Sequence, residues 1–180
     1  MFTIDDIRND SRFYIDERNL NRLFANGGGQ EYRVQFVRVG SILRSLEGKV
    51  TTLYDTDVYP FLSGSDVGEK QYTKYCEKYP IMQKNGERYK RLITEMQCSD
   101  YDIMKGAIVI DENNFILDGL HRSCITLKKY GPYHKVQVVK CFSGRHYGKK
   151  YRLKLVCYKT QAYLKCLIEY VRFINHKCFQ

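Results

Sequence analysis

Apolar and polar residues alternate along Tyr32–Val39 (YRVQFVRV), the period of a half-buried strand. Ahead of it, residues 1–25 pattern weakly as a helix or an extended arm. They end at Asn26-Gly27-Gly28-Gly29, a run no regular element tolerates. Ser41-Ile42-Leu43 then starts a short helix or turn. Residues 51–70 are irregular and polar around Tyr59-Pro60-Phe61-Leu62, and long loops in compact domains are commonly functional or disordered. Glu69–Tyr79 and Glu87–Met96 support helices, with Tyr72, Tyr75 and Cys76, then Leu92, Ile93 and Met96, on repeating faces. Pro80 through Gly86 separates them.

The pattern sharpens from Ala107. Ala107–Ile110 (AIVI) predicts a buried strand, Asp111–Asn114 a turn, and Phe115-Ile116-Leu117 a second short strand. Asp118-Gly119 leads into a helix from about Leu120 to Tyr130, which Gly131-Pro132 stops. Val136–Phe142 (VQVVKCF) is a further strand and Ser143–Lys150 a basic turn. Tyr151–Tyr158 alternates as a strand able to complete a hairpin. Leu164, Leu167, Ile168, Val171 and Ile174 fall at helical spacing within Thr160–Asn175. The expected class is α/β (α+β), a small mixed sheet with flanking helices. Residues 1–34 are an N-terminal arm and 35–142 the main domain. Residues 143–180 are a basic hairpin strand and an amphipathic helix packed on that domain.

Composition narrows the class. With 180 residues, 43% hydrophobic and 28% charged, the chain has the balance of a globular domain. No apolar run approaches the roughly 18 residues of a membrane span. Met1–Asp10, with Asp5, Asp6 and Asp10, lacks the basic start and apolar core of a signal peptide, so the expected location is cytoplasmic. The seven cysteines are scattered without a CxxC pair, which argues against a zinc ribbon and for reduced thiols packing as small hydrophobes. The net charge of +10 is uneven: after Asp118 the sole acid is Glu169. That asymmetry implies a polyanionic partner, whether nucleotide phosphates, nucleic acid or an acidic substrate.

Candidate chemistry concentrates at Asp118-Gly119-Leu120-His121-Arg122-Ser123. A helix N-terminus presents unpaired N–H groups and the positive end of its dipole, a ready anion site. Gly119 lets a phosphate approach the backbone and accepts φ > 0. Arg122 supplies a planar fork for two phosphate oxygens. His121 adds a donor, or a cation when protonated, and Ser123 a hydroxyl. Plainer roles exist for each: Asp118 as an N-cap, Arg122 in an internal ion pair, His121 as an ordinary polar residue.

The segment VIDENNFILDGLHRSCITLKKYG (Val109–Gly131) resembles the signature of the ParB/sulfiredoxin superfamily, in which a hairpin leads into D-G-x-H-R and a helix. The resemblance extends loosely over Val34–Phe142. Sulfiredoxins carry a catalytic cysteine where this chain has Leu120, so their chemistry is not implied. Nor is there room after Phe142 for the helix-turn-helix domain of chromosome-partitioning ParB proteins. The free-serine-kinase branch fits the residues best. It implies ATP or another nucleoside phosphate bound by Gly119, Leu120, His121, Arg122 and Ser123, with Mg²⁺ and a metal or acceptor-orienting role for Asp118.

On that resemblance the expected function is a nucleotide-dependent phosphotransferase acting on a small hydroxyl-bearing or glycan-related acceptor. Phosphoryl transfer is mostly positioning plus electrostatic stabilisation. A base is drawn from Glu47, Asp55, Asp57 and Asp66. Asp57 and Asp66 are preferred because they flank the Tyr59–Gly64 loop, which would exclude water if it closed as a lid. The alternative is a ParB-like nucleotide-gated nucleic-acid-binding module (CTPase or nuclease-like), using His146-Tyr147-Gly148-Lys149-Lys150-Tyr151-Arg152 along a phosphate backbone. A third class is an interaction protein that presents Thr160–Asn175 as a partner helix.

Overall fold

Strands β1 (Glu31–Arg38) and β6 (Lys135–Phe142) pair antiparallel along their whole length, Glu31 opposite Phe142 and Arg38 opposite Lys135. In the computed structural model, which describes residues 2–25, 30–46, 49–78, 85–143 and 148–178, β6 is an interior strand. On its other side β4 (Val109–Asp111) runs parallel to it, Val109 opposite Val139, and β5 (Ile116–Asp118) closes the order β1-β6-β4-β5. An interior strand is covered on both faces. VQVVKCF is apolar for that reason: Val136 and Val138 are buried in one core, Val139 and Cys141 in another. The result is a small α+β fold, a four-stranded mixed sheet with helices on both sides and a separate hairpin of β2 (Leu43–Leu46) and β3 (Lys49–Thr52).

The hairpin between β4 and β5 is set by one carboxylate. Asp111 accepts from the backbone N–H groups of Asn113 and Phe115, both at 2.8 Å, and Asn114 takes the left-handed conformation the turn needs (φ 70°). This closure delivers Asp118 and Gly119 to the head of the helix that follows.

One face of the sheet packs Ile108, Ile110, Val136 and Val138 against α3 (Asp66–Lys78), α4 (Asn85–Cys98) and α5 (Leu120–Tyr130). Tyr72, Tyr89 and Met96 fill the space between. The opposite face is covered by the N-terminal segment. Helices α1 (Ile4–Arg8) and α2 (Glu17–Ala25) bring Ile7 and Leu20 down with Phe2, Phe13 and Ile15 onto Ala107, Val109, Val139 and Cys141. Residues 2–25 are thus a layer of the fold, covering Val109, Val139 and Cys141 together with Ile103.

The C-terminal third departs from expectation. Tyr151–Tyr158 is helical, part of α6 (Lys149–Cys178), a single helix of 30 residues. Apolar residues at alternate positions mimic a strand there, yet the stretch from 149 to 178 contains neither Gly nor Pro, and nothing breaks the helix at Lys159-Thr160. Its packing face also differs. Ala162 and Cys166 are buried, with the Cys166 thiol donating to the Gly40 carbonyl at 3.0 Å. Leu164, Leu167, Ile168, Val171 and Ile174 are exposed. Glu47, the glycine run at 26–29, residues 79–84 and the centre of the basic turn at 144–147, with His146 and Tyr147, lie outside the described residues.

Candidate anion-binding site

The head of α5 opens into a cleft of about 630 Å³. Gly119 is the N-cap, in the left-handed conformation (φ 81°, ψ 22°), and no side chain caps the helix. A side chain is excluded there twice over, by the backbone conformation and by space. An added Cβ would lie 2.9 Å from both the Ala107 carbonyl oxygen and Ile108 Cα. The first helical bond is Ser123 N–H to the Gly119 carbonyl, which leaves the N–H groups of Leu120, His121 and Arg122 without helical partners. Asp118, Gly119, Leu120, His121 and Arg122 all line the cleft.

Its walls come from distant segments. Asn19 and Arg22 project from α2, Arg44 and Leu46 belong to β2, and Arg88, Arg91, Leu92 and Glu95 lie along α4. Five guanidinium groups therefore face Asp118 and Glu95. Arg44 is buried, pairs with Asp57 at 3.6 Å, and lies over the Tyr75 ring. Arg22, Arg88, Arg91 and Arg122 make no side-chain hydrogen bond or ion pair among the described residues. Five cations against two carboxylates in a concave site raise the local concentration of anions.

Asp118 is held rather than free. Asn19 Nδ2 donates to its carboxylate at 2.9 Å. Burial raises its pKa; Gly119, Arg122, Arg22 and Arg88 pull the other way and only in part offset this. His121 lies between aromatic rings, 4.4 Å from the Tyr89 centroid, and its Nε2 shares a 2.8 Å hydrogen bond with the Tyr72 hydroxyl. Burial and the nearby Arg122, Arg88 and Arg44 push its pKa down to about 4. The uncharged imidazole of His121 is therefore the form the fold favours, the form in which it can act as a hydrogen-bond donor.

Three other expectations change. Ser123 is buried, and its hydroxyl donates to the Gly119 carbonyl at 3.0 Å, so it braces the turn and offers nothing to the cleft. Neither Asp57 nor Asp66 lines the cleft. Asp57 is exposed and paired with Arg44, while Asp66 sits at the head of α3 in a separate shallow depression with Glu69 and Lys70. Asp55 pairs with Lys165 at 3.0 Å. The Tyr59–Gly64 segment is pinned, since Phe61 stacks on Tyr89 at 5.1 Å and tilts against Tyr72 at 4.8 Å. Through Tyr72 and Tyr89, which touch His121, it backs the site.

Sequence reasoning missed Asn19, Arg22, Arg44, Arg88 and Arg91, and also Gly106. Gly106 (φ 152°) provides the shelf under Arg122: a Cβ there would run into the guanidinium. Two spacing signals existed among them: Arg88 with Arg91, and Asn19 with Arg22, each pair three apart on a helix and therefore on one face. Among the described residues no group of three or more His, Cys, Asp or Glu is arranged to hold a metal ion. Comparison of the chain with family models, with curated proteins and with solved structures gives no match.

Proposed function

We propose that the cleft binds a nucleoside phosphate, ATP or a close relative, and that the chain transfers a phosphoryl group to a small hydroxyl-bearing or glycan-related acceptor. One observation carries this proposal. Arg22, Arg88, Arg91 and Arg122 converge from three helices on a cleft at an uncapped helix head, with no protein anion paired to them among the described residues. Guanidinium forks and free N–H groups are the donors a phosphate chain takes up. Tyr75, Leu92 and Leu46 line the same cleft and offer an apolar surface for a base. The likeness of Val109–Gly131 to the ParB/sulfiredoxin motif supports the same ligand class.

In the transfer step the acceptor oxygen bonds to the terminal phosphorus and the bond to the bridging oxygen breaks. The nucleoside diphosphate leaves with that electron pair, and the acceptor proton passes to a carboxylate. Asp118 takes the role first given to Asp57 and Asp66, because it lies in the cleft and its raised pKa makes it a stronger base than an exposed carboxylate. The arginines offset charge on the phosphoryl oxygens. With Asp118 as the base, Glu95, the other carboxylate lining the cleft, would help hold Mg²⁺ carried in on phosphate oxygens. When bound, that ion supplies further charge neutralisation.

The test is incubation with Mg²⁺ and ATP over a panel of small alcohols and sugars, read by mass spectrometry. Diphosphate and a phosphorylated acceptor are expected together, both lost in Asp118→Asn. Nucleotide binding with no acceptor-dependent turnover across the panel would reduce the role to nucleotide recognition. A nucleic-acid module would instead bind without nucleotide, with affinity falling steeply in salt.

A further inference from the structure

α6 carries a second apolar face that the fold leaves uncovered. Its inward side is narrow. Ala162 packs with Leu43 and Phe115, Cys166 bonds to Gly40, and Phe173 lies against Gly131. On the opposite side Leu153, Val156, Leu164, Ile168, Val171 and Ile174 stand at helical spacing, each between 40% and 68% exposed. Such a strip, about 30 Å long at 1.5 Å per residue and interrupted only near Thr160, is more than scattered surface apolarity and marks an interaction surface.

The charges beside the strip identify its occupant. Arg152 and Lys159 flank one edge and Lys154 and Arg172 the other. The helix has a single acid, Glu169, which lies toward the inward side, 19% exposed and paired with Arg172 at 2.6 Å. A second copy docked on this strip would set basic edges against basic edges, without acids to pair them. An acyl surface bordered by anionic headgroups meets both features at once: the strip sinks into the interface and the basic side chains reach outward to phosphate. No helix among the described residues is long and apolar enough to cross a membrane, so contact would be made along the surface.

We propose that the outward face of α6 docks the protein on an anionic lipid surface, independently of the nucleotide cleft. The test is co-sedimentation of the full chain with vesicles of phosphatidylcholine alone and of phosphatidylcholine with phosphatidylserine. Binding to the anionic vesicles only is expected. It should weaken by at least about tenfold when Lys150, Arg152 and Lys154 are all changed to Gln. Leu164→Glu with Ile168→Glu should abolish it, with unchanged circular dichroism because these side chains are exposed, and Arg122→Ala should leave it intact. Equal binding to both vesicle types, or none to either, would overturn the proposal. So would a dimer in sedimentation equilibrium that the Leu164 and Ile168 changes dissociate, since that would assign the strip to a second copy.

Discussion

Asn19 donates from Nδ2 to the carboxylate of Asp118 at 2.9 Å, across 99 positions of the chain. The bond ties the layer covering one face of the sheet to the turn that heads α5 on the other side of the site. It also brings Arg22, one turn further along α2, to the cleft. The N-terminal segment is therefore part of the site as well as of the core.

Replacing Asn19 with Ala removes that donor from a partly buried carboxylate. A cost of about 1–2 kcal/mol is expected in urea denaturation. Nucleotide affinity should fall as well, because Asp118 and Arg22 lose their common anchor. Unchanged values of both would show that α2 only covers the sheet.

Asp118→Asn separates binding from chemistry. Burial raises the Asp118 pKa, so its protonated form is favoured in the fold. Its contribution to stability is present at acid pH and is lost as pH rises through and above the ordinary carboxylate range. The amide should remove that part of the pH–stability profile, keep nucleotide binding at pH 7 and eliminate turnover. Full turnover in this variant would remove Asp118 as the base.

His121 has the opposite sign. Its pKa falls from 6.5 to about 4 in the fold, so stability present above pH 6.5 declines as pH drops toward 4. The loss is on the order of 3 kcal/mol by the acid end of that window. His121→Gln, with no imidazole to charge, should flatten this limb in thermal melts taken from pH 4 to 7. A limb of unchanged steepness would assign the acid sensitivity to another group.

The arginines should act on the free and bound states in opposite directions. Arg88→Ala and Arg91→Ala each remove a cation from a cluster that repels itself, so the melting temperature without ligand should hold or rise. With saturating nucleotide it should fall below that of the parent chain. A loss of stability in both states would mean that these arginines brace the fold.

Gly119→Ala tests the geometry of the turn. The left-handed backbone and the approach of Ala107 and Ile108 at 2.9 Å predict a loss of at least about 2 kcal/mol in chemical denaturation. A stability equal to the parent's would contradict the αL cap.

Much of the fold was legible where periodicity and burial agree. The alternation at Tyr32–Val39, the run at Val136–Phe142 and the Leu120–Tyr130 helix bounded by Gly119 and Gly131 all match their elements closely. The strand expected at Tyr151–Tyr158 failed because a long helix that touches the body along one narrow side places few constraints on its other faces. Its apolar residues can then alternate without forming a sheet. Of the site, the local turn was legible because five consecutive residues carry it. The walls were not: Asn19, Arg22, Arg44 and Arg88 are single polar residues brought together only by tertiary packing. Ser123 was misjudged because its position on α5 points it into the core, where its hydroxyl bonds back to Gly119.

The central claim is that the arginine cleft takes a nucleoside phosphate, and calorimetric titration tests it most directly. Purified protein and Arg122→Ala would each be titrated with ATP, ADP, CTP and GTP, with and without Mg²⁺. Saturable binding of at least one nucleotide, weakened tenfold or more in the variant, is the predicted result, about 1.4 kcal/mol or more for one lost guanidinium fork. No heat with any nucleotide, or equal affinity in the variant, would contradict the account.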